Sequence, residues 1–245
     1  MINATAVNHA NVPVLHLRNV VRVYHQGQRE IRVLDGAQAV IYPGESVALV
    51  GPSGAGKSTL LHITGLLETP DAGHVFINGR DCTGMPDGAR TRIRRKELGF
   101  IYQFHQLLPE FNAAENVAVP LMIAGMPKRD AIARAKELLA YMGLTERFTH
   151  RPAELSGGEQ QRTAICRALA NSPRLILADE PTGNLDPKTS ARVFDAFVDL
   201  IRKTGVSALI ATHDMQLASR MDRVLRMQDG QLLELAPSDV SSITK

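Results

Sequence analysis

Nine residues, Gly51 to Thr59, restrict the fold more tightly than any other stretch of the chain. They read GPSGAGKST and match the phosphate-loop pattern Gly-x-x-x-x-Gly-Lys-Ser/Thr at Gly51, Gly56, Lys57 and Ser58. The spacing has a physical cause. Glycines let the backbone curl until successive N–H groups point inward at phosphate oxygens. Lys57 is placed to reach terminal phosphates, and the Ser58 hydroxyl is a hard-oxygen donor suited to Mg²⁺. The candidate phosphate-binding set is therefore Gly51, Pro52, Ser53, Gly54, Ala55, Gly56, Lys57, Ser58 and Thr59. The apolar run ESVALV at 45–50 predicts a buried strand entering the loop, and 58–67 predicts a helix leaving it. That helix would aim its N-terminal dipole at an anion.

Other short apolar runs predict more buried strands, at 98–102, 175–178 and 206–212. Each delivers polar residues at its end: Gln103 after the first, Asp179 and Glu180 after the second, His213 and Asp214 after the third. Asp179 is placed to hold Mg²⁺ together with Ser58, and Glu180 to polarise water as a general base. A lone histidine is most often structural, but one at the carboxyl end of a parallel strand beside a phosphate site is a functional candidate. After Glu180 the chain reads PTGNLD, a polar turn from which Asp186 could reach a neighbouring site. At 155–160 the chain reads LSGGEQ and opens a helix. Ser156 and Glu159 fit a capping box, and the same helix tip presents a hydroxyl and the amides of Gly157 and Gly158 to an anion.

The segment 14–41 predicts antiparallel strands broken near Gly27 and at Asp35-Gly36. Tyr24 lies there, either stacking on a nucleobase or packing on its own sheet. Residues 128–142 predict an amphipathic helix with Ala131, Ala135, Leu138 and Met142 on one face and Gly143 as its stop. A helical segment is thus expected between sheet strands, from about 104 to 170. The stretch FHQLLPEF at 104–111 is apolar without periodicity, and is either a protein contact or part of the domain's own packing. The basic run from Arg90 to Lys96 reads as a solvated helix face, or as a contact for lipid headgroups or a partner. Residues 224–227 and 231–235 flank Asp229-Gly230 and predict a hairpin, and the last ten residues are expected to be loose. Net charge is +3 over 245 residues, too small an excess to argue for nucleic acid. Cys82 and Cys166 share no metal-ligand spacing and read as reduced thiols. Residues 1–13 are expected to be a flexible leader, followed by one domain over 14–245. No run approaches the length that spans a bilayer.

Tyr24, GPSGAGKST, Gln103, LSGGEQ, LILADE at 175–180, Asp186 and His213, in this order around one phosphate loop, resemble the ATPase subunits of ABC transporters over nearly the whole chain. The resemblance implies an α/β, P-loop NTPase fold of the ABC ATPase type: a mostly parallel sheet core, an antiparallel β-subdomain and an inserted helical subdomain. It implies ATP and Mg²⁺ as ligands, with Ser58, Gln103 and Asp179 toward the metal and Glu180, His213 and Gln103 catalytic. It also implies a head-to-tail homodimer, in which Ser156, Gly157 and Gly158 of one copy close the nucleotide site of the other. A P-loop kinase would not account for LSGGEQ. PTGNLD resembles the group containing lipoprotein-releasing, MacB-type export and FtsE-type cell-division ATPases. FIYQFHQLLPEFNAAENVAVPL at 100–121 and HRPAELSGGEQQR at 150–162 are most similar to the lipoprotein-releasing branch. That branch implies integral membrane subunits resembling LolC and LolE, docked after Gln103. It places the chain peripherally on the cytoplasmic side of the inner membrane.

Overall fold

The phosphate loop hangs from the carboxyl edge of a six-stranded sheet. The computed structural model describes residues 12–27, 29–236 and Asp239; the leader up to residue 11 and nearly all of the last ten residues lie outside these. The chain opens with two long antiparallel strands, β1 (Leu15–Gln26) and β2 (Arg29–Ile41). The expected break at Asp35-Gly36 is absent. β2 runs through it, because Gly36 (φ 76°) is accommodated as an extra residue between the pairs Val20–Ala37 and Val21–Asp35. A second irregularity leaves Val33 unpaired between Arg22–Leu34 and Val23–Arg32.

Strand β3 (Ser46–Val50) enters the phosphate loop and helix α1 (Lys57–Thr64) leaves it. Strands β4 (Ala72–Ile77) and β5 (Arg80–Asp81), turned at Asn78-Gly79, complete a four-stranded antiparallel sheet in the order β2-β1-β4-β5. Helix α2 (Asp87–Glu97) leads into β6 (Leu98–Ile101). Three helices follow, α3 (Ala113–Ile123), α4 (Lys128–Tyr141) and α5 (Gly157–Leu169). Then come β7 (Leu175–Asp179), α6 (Pro187–Thr204), β8 (Ser207–Ala211), α7 (Met215–Ala218), and the hairpin β9 (Arg223–Gln228) and β10 (Gln231–Glu234). The second sheet runs β10-β9-β3-β8-β7-β6, with β9, β3, β8, β7 and β6 parallel and β10 antiparallel at the edge.

The central strands are continuously apolar because both faces are covered. Alternate residues serve different cores. Val47, Leu49, Leu175, Leu177 and Leu209 pack with α1 and the antiparallel sheet. Ala48, Val50, Ile176, Ala178, Ala208 and Ile210 pack on the other side, with residues of α3, α4, α5 and α6. Phe194 and Phe197 of α6 are among the largest fully buried side chains there.

Helix α3 has no clear periodic signal, yet Asn112 and Glu115 form a full capping box at its start and Pro120 is tolerated inside it. The basic helix α2 is only partly a solvated face. Arg92, Arg95 and Lys96 are exposed, whereas Arg94 donates to the Leu66 carbonyl at 2.7 Å and Arg90 to the Thr69 hydroxyl at 2.8 Å. Cys166 is buried in α5, where desolvation pushes its thiol pKa up.

Candidate functional site

The strand order places the ends of β3, β7 and β8 side by side, so the groups that follow them meet in one crevice at the carboxyl edge of the sheet. A cavity of about 470 Å³ lies there. It is lined by Val33, Ser53, Gly54, Gly56, Lys57, Ser58, Thr59, Gln103, Asp179 and Glu180.

The loop is shaped by its own backbone. Gly56 sits at φ 104°, and a Cβ there would lie 2.8 Å from Val33 Cγ1. Only glycine meets both conditions. Val33 is the residue of β2 left unpaired at the second irregularity, and it closes one wall of the cavity. Lys57 is buried and folds back over the loop, with Nζ donating to the carbonyls of Gly51 (2.9 Å) and Pro52 (3.0 Å). These contacts hold the ammonium at the mouth of the loop in reach of a phosphate.

Glu180 adopts φ 45°, a conformation unfavourable for a residue with a side chain, and its N–H donates to the Ala211 carbonyl at 2.9 Å. This turn at the end of β7 aims the carboxylate along the crevice. Its Oε1 lies 3.1 Å from His213 Nδ1. His213 is otherwise exposed and does not line the cavity; it reaches the site through Glu180. Gln103 Nε2 donates to Asn184 Oδ1 at 3.3 Å, and Asn184 Nδ2 donates to the Gln103 carbonyl at 3.0 Å. Gly183 stands between the Glu180 and Gln103 side chains: a Cβ there would fall 3.0 Å from Glu180 Oε2 and 3.1 Å from Gln103 Nε2. Asn184, Gly183 and Val33 are neighbours of the candidate residues that motif spacing does not mark, although Gly183 and Asn184 lie within PTGNLD.

Ser58, Gln103 and Asp179 line the same cavity and offer a hydroxyl, an amide oxygen and a carboxylate. Among the described residues there is no cluster of three His, Cys, Asp or Glu side chains that could hold a metal. A sparse set of hard oxygens of this kind fits Mg²⁺, which keeps waters and takes further ligands from substrate phosphates.

The other expected residues lie elsewhere. Ser156 caps α5 in a capping box: its Oγ donates to Glu159 Oε2 at 2.8 Å and accepts from the Glu159 N–H at 3.4 Å. The Ser156 N–H and hydroxyl, with Arg147, hold the Glu159 carboxyl below the usual range. Ser156 and Gly157 are exposed, while Gly158 is buried, where an added Cβ would meet Thr189 Cγ2 at 2.6 Å. None of the three lines the cavity. Asp186 caps α6 by accepting from the Thr189 N–H at 3.1 Å, and its carboxyl is held low first by the Thr189 hydroxyl. Tyr24 is half-buried outside the cavity, with its hydroxyl donating to Glu68 at 2.7 Å.

The segment after Gln103 divides by exposure. Phe104 is 68% exposed and Leu108 41%, but Leu107 is buried, so the stretch 104–111 is partly solvent-facing and partly packed into its own domain. Fully buried Asn116 holds this segment, donating to the carbonyls of Leu108 and Phe111 and accepting from the Leu108 N–H. Beside it lies a groove of about 520 Å³ whose walls include Leu98, Phe100, Val119 and Ile123, with Arg94, Arg95 and Arg167 around it.

The model of the ABC transporter family matches residues 34–183. The chain belongs to the ABC transporter family. Its curated relatives there include the "Lipoprotein-releasing system ATP-binding protein LolD" of Nitrobacter hamburgensis, 57% identical over 91% of this chain and 97% of that protein. The protein of the same name from Ruegeria pomeroyi is 61% identical, over 90% and 97%. LolD 1 of Rhodospirillum rubrum is 60% identical, over 89% and 97%. Among solved structures, the dimeric ATP-binding cassette MJ0796, bound to ADP and Pi in a post-hydrolysis state, superposes with a TM-score of 0.83 at 39% identity. That match covers 91% of this chain and 98% of the cassette. The likeness to an ABC cassette accords with the expected α/β fold, with its parallel sheet and separate antiparallel layer.

Proposed function

We propose that the chain hydrolyses Mg-ATP as one half of a homodimer, and that the cycle powers release of lipoproteins from the inner membrane toward a periplasmic carrier. The observation that carries this reading is the pairing of Glu180 with His213 at the edge of a cavity that also holds Lys57, Ser58, Asp179 and Gln103.

In this reading residues 51–59 cradle the phosphates, and Lys57 trades its carbonyl partners for phosphate oxygens. Glu180 accepts the proton of the attacking water, a role that contributes about 10²–10⁴ in rate. His213 holds the Glu180 carboxylate in place, and Gln103, fixed by Asn184, closes the cavity on the far side. Magnesium, when bound, would neutralise charge developing on the phosphates; Ser58, Asp179 and Gln103 would hold it. The exposed Ser156–Gly157 tip lies off the cavity that holds Lys57 and Glu180, which supports a second copy bringing its phosphates to it, with Gly158 and Asp186 at the same interface. Tyr24 would stack on the base.

The same reading takes 14–245 as one ABC ATPase domain whose helical subdomain spans about 104–170. The groove beside Phe104 and Leu108 would receive a segment of integral membrane subunits resembling LolC and LolE. Those subunits would place the chain peripherally on the cytoplasmic side of the inner membrane; among the described residues no helix is long and apolar enough to cross a membrane. Two measurements test the proposal: phosphate release from Mg-ATP by the purified chain, and the identity of the membrane proteins that co-purify with it. Absence of hydrolysis by the assembled complex would sink the first half. Co-purification with an exporter or a cell-division complex would sink the second.

A further inference from the structure

We propose that Arg22 and Glu68 are positioning residues for nucleotide binding, which clamp Tyr24 so that one face of its ring stays open to the base. The inference rests on the nucleotide reading above.

Arg22 and Tyr24 are two residues apart on β1 and so share one face of the sheet. The Arg22 guanidinium lies over the Tyr24 ring, 4.7 Å from its centroid. The Tyr24 hydroxyl donates to Glu68 Oε2 at 2.7 Å, and Arg22 Nη2 approaches the same oxygen at 3.4 Å. The three side chains therefore close a triangle. Arg22 Nη1 also reaches Asp71 Oδ1 at 3.1 Å, and Asp71 accepts from the Val23 N–H at 2.7 Å. The other Glu68 oxygen is 3.2 Å from His62 Nδ1. Arg22 and Glu68 keep only 23% and 28% of their side-chain surface in solvent, so this is no loose surface pair.

The arrangement leaves the ring little freedom. Its hydroxyl is tied down and one π-face is covered by a cation. A ring ordered before binding spares the complex the entropy of ordering it. The clamp also gives base and phosphate a common frame. Glu68 and His62 belong to α1 and its exit, and the first residue of α1 is Lys57. Val33, on the strand paired with β1, lines the phosphate cavity. A guanidinium on an aromatic face is held there by the ring's quadrupole. Releasing the ring is therefore expected to weaken nucleotide binding by about three- to tenfold.

The test is equilibrium binding of ATP and of inorganic tripolyphosphate, with magnesium, to Tyr24→Ala, Arg22→Met, Arg22→Lys, Glu68→Gln and the Tyr24/Arg22 double variant, each checked for an unchanged melting temperature. Tyr24→Ala and Arg22→Met are each expected to weaken ATP binding about three- to tenfold and to leave tripolyphosphate binding unchanged. Arg22→Lys should restore part of the loss, and the double variant should bind no worse than Tyr24→Ala. In turnover, KM should rise with kcat unaltered. Wild-type ATP affinity in Arg22→Met alongside weakened binding in Tyr24→Ala would overturn the clamp and leave the stacking role of Tyr24 standing. So would an equal loss for tripolyphosphate, or additive losses in the double variant. If Tyr24→Ala binds ATP normally, the stacking reading falls and the clamp falls with it.

Discussion

His213 Nδ1 lies 3.1 Å from Glu180 Oε1, a contact that joins the ends of two adjacent parallel strands. β7 delivers the carboxylate and β8 the imidazole. The left-handed backbone of Glu180, tied to the Ala211 carbonyl of β8, sets the distance between them. A small shift of one strand end against the other would break the pair.

Glu180→Gln keeps the side chain's shape and removes its basicity. Hydrolysis should fall by about 10²–10⁴ while ATP binding is retained. A nucleotide-bound dimer should accumulate, detectable by light scattering with Mg-ATP. Ordinary turnover in this variant would take Glu180 out of the chemistry.

Gly183→Val places bulk between Glu180 Oε2 and Gln103 Nε2, both about 3 Å from where a Cβ would stand. The expected result is a kcat lowered by about tenfold or more with KM little changed, since the phosphate loop is untouched. Steady-state kinetics decide it, and a rise in KM alone would count against this placement.

Phe104 and Leu108 are exposed and Leu107 is buried. Aspartate at 104 or 108 should leave melting and basal hydrolysis unchanged and abolish co-purification with membrane subunits. Leu107→Ala should instead destabilise the fold by about 2–4 kcal/mol, seen in chemical denaturation. Equal behaviour of the three positions would contradict the exposure pattern.

Glu159 is held below the ordinary glutamate range, first by the Ser156 N–H and then by the Ser156 hydroxyl and Arg147. Its folded pKa is lower than its unfolded pKa of about 4.3, so the unfolded chain takes up its proton first as pH falls. The capping box therefore contributes full stability above that unfolded value and loses it as pH drops through the folded one. Stability measured from pH 6 to pH 3.5 should fall less steeply in Glu159→Gln than in the wild type. Parallel curves would remove Glu159 from the acid response.

Cys82 and Cys166 are buried, and desolvation raises both thiols. Neither should react with a maleimide in the folded protein, and both should react in denaturant. Rapid native labelling of Cys166 would show that α5 opens.

Local chemistry was readable from residue order. The phosphate loop, the Ser156–Glu159 box and the strand-end positions of Asp179, Glu180 and His213 all follow from short-range spacing. Helix α3 was not readable, because its start depends on the Asn112–Glu115 box and its body mixes alanines, a proline and a buried asparagine without a clear period. The inward turn of Leu107 was not readable for a similar reason: FHQLLPEF has no period, so nothing in the order of its residues says which leucine is buried.

Order along the chain settled which chemical groups are present and which local element ends each of them occupies, since backbone curl, capping and strand burial act over a few residues. Placing those groups together was left to packing. The non-sequential strand order β9-β3-β8-β7-β6 puts Glu180 beside His213 and Gln103 across from Lys57. An unpaired residue in β2 turns Val33 onto Gly56. These contacts join residues far apart in sequence, and no short-range rule carries their positions; they exist because two apolar faces of one sheet are buried at once.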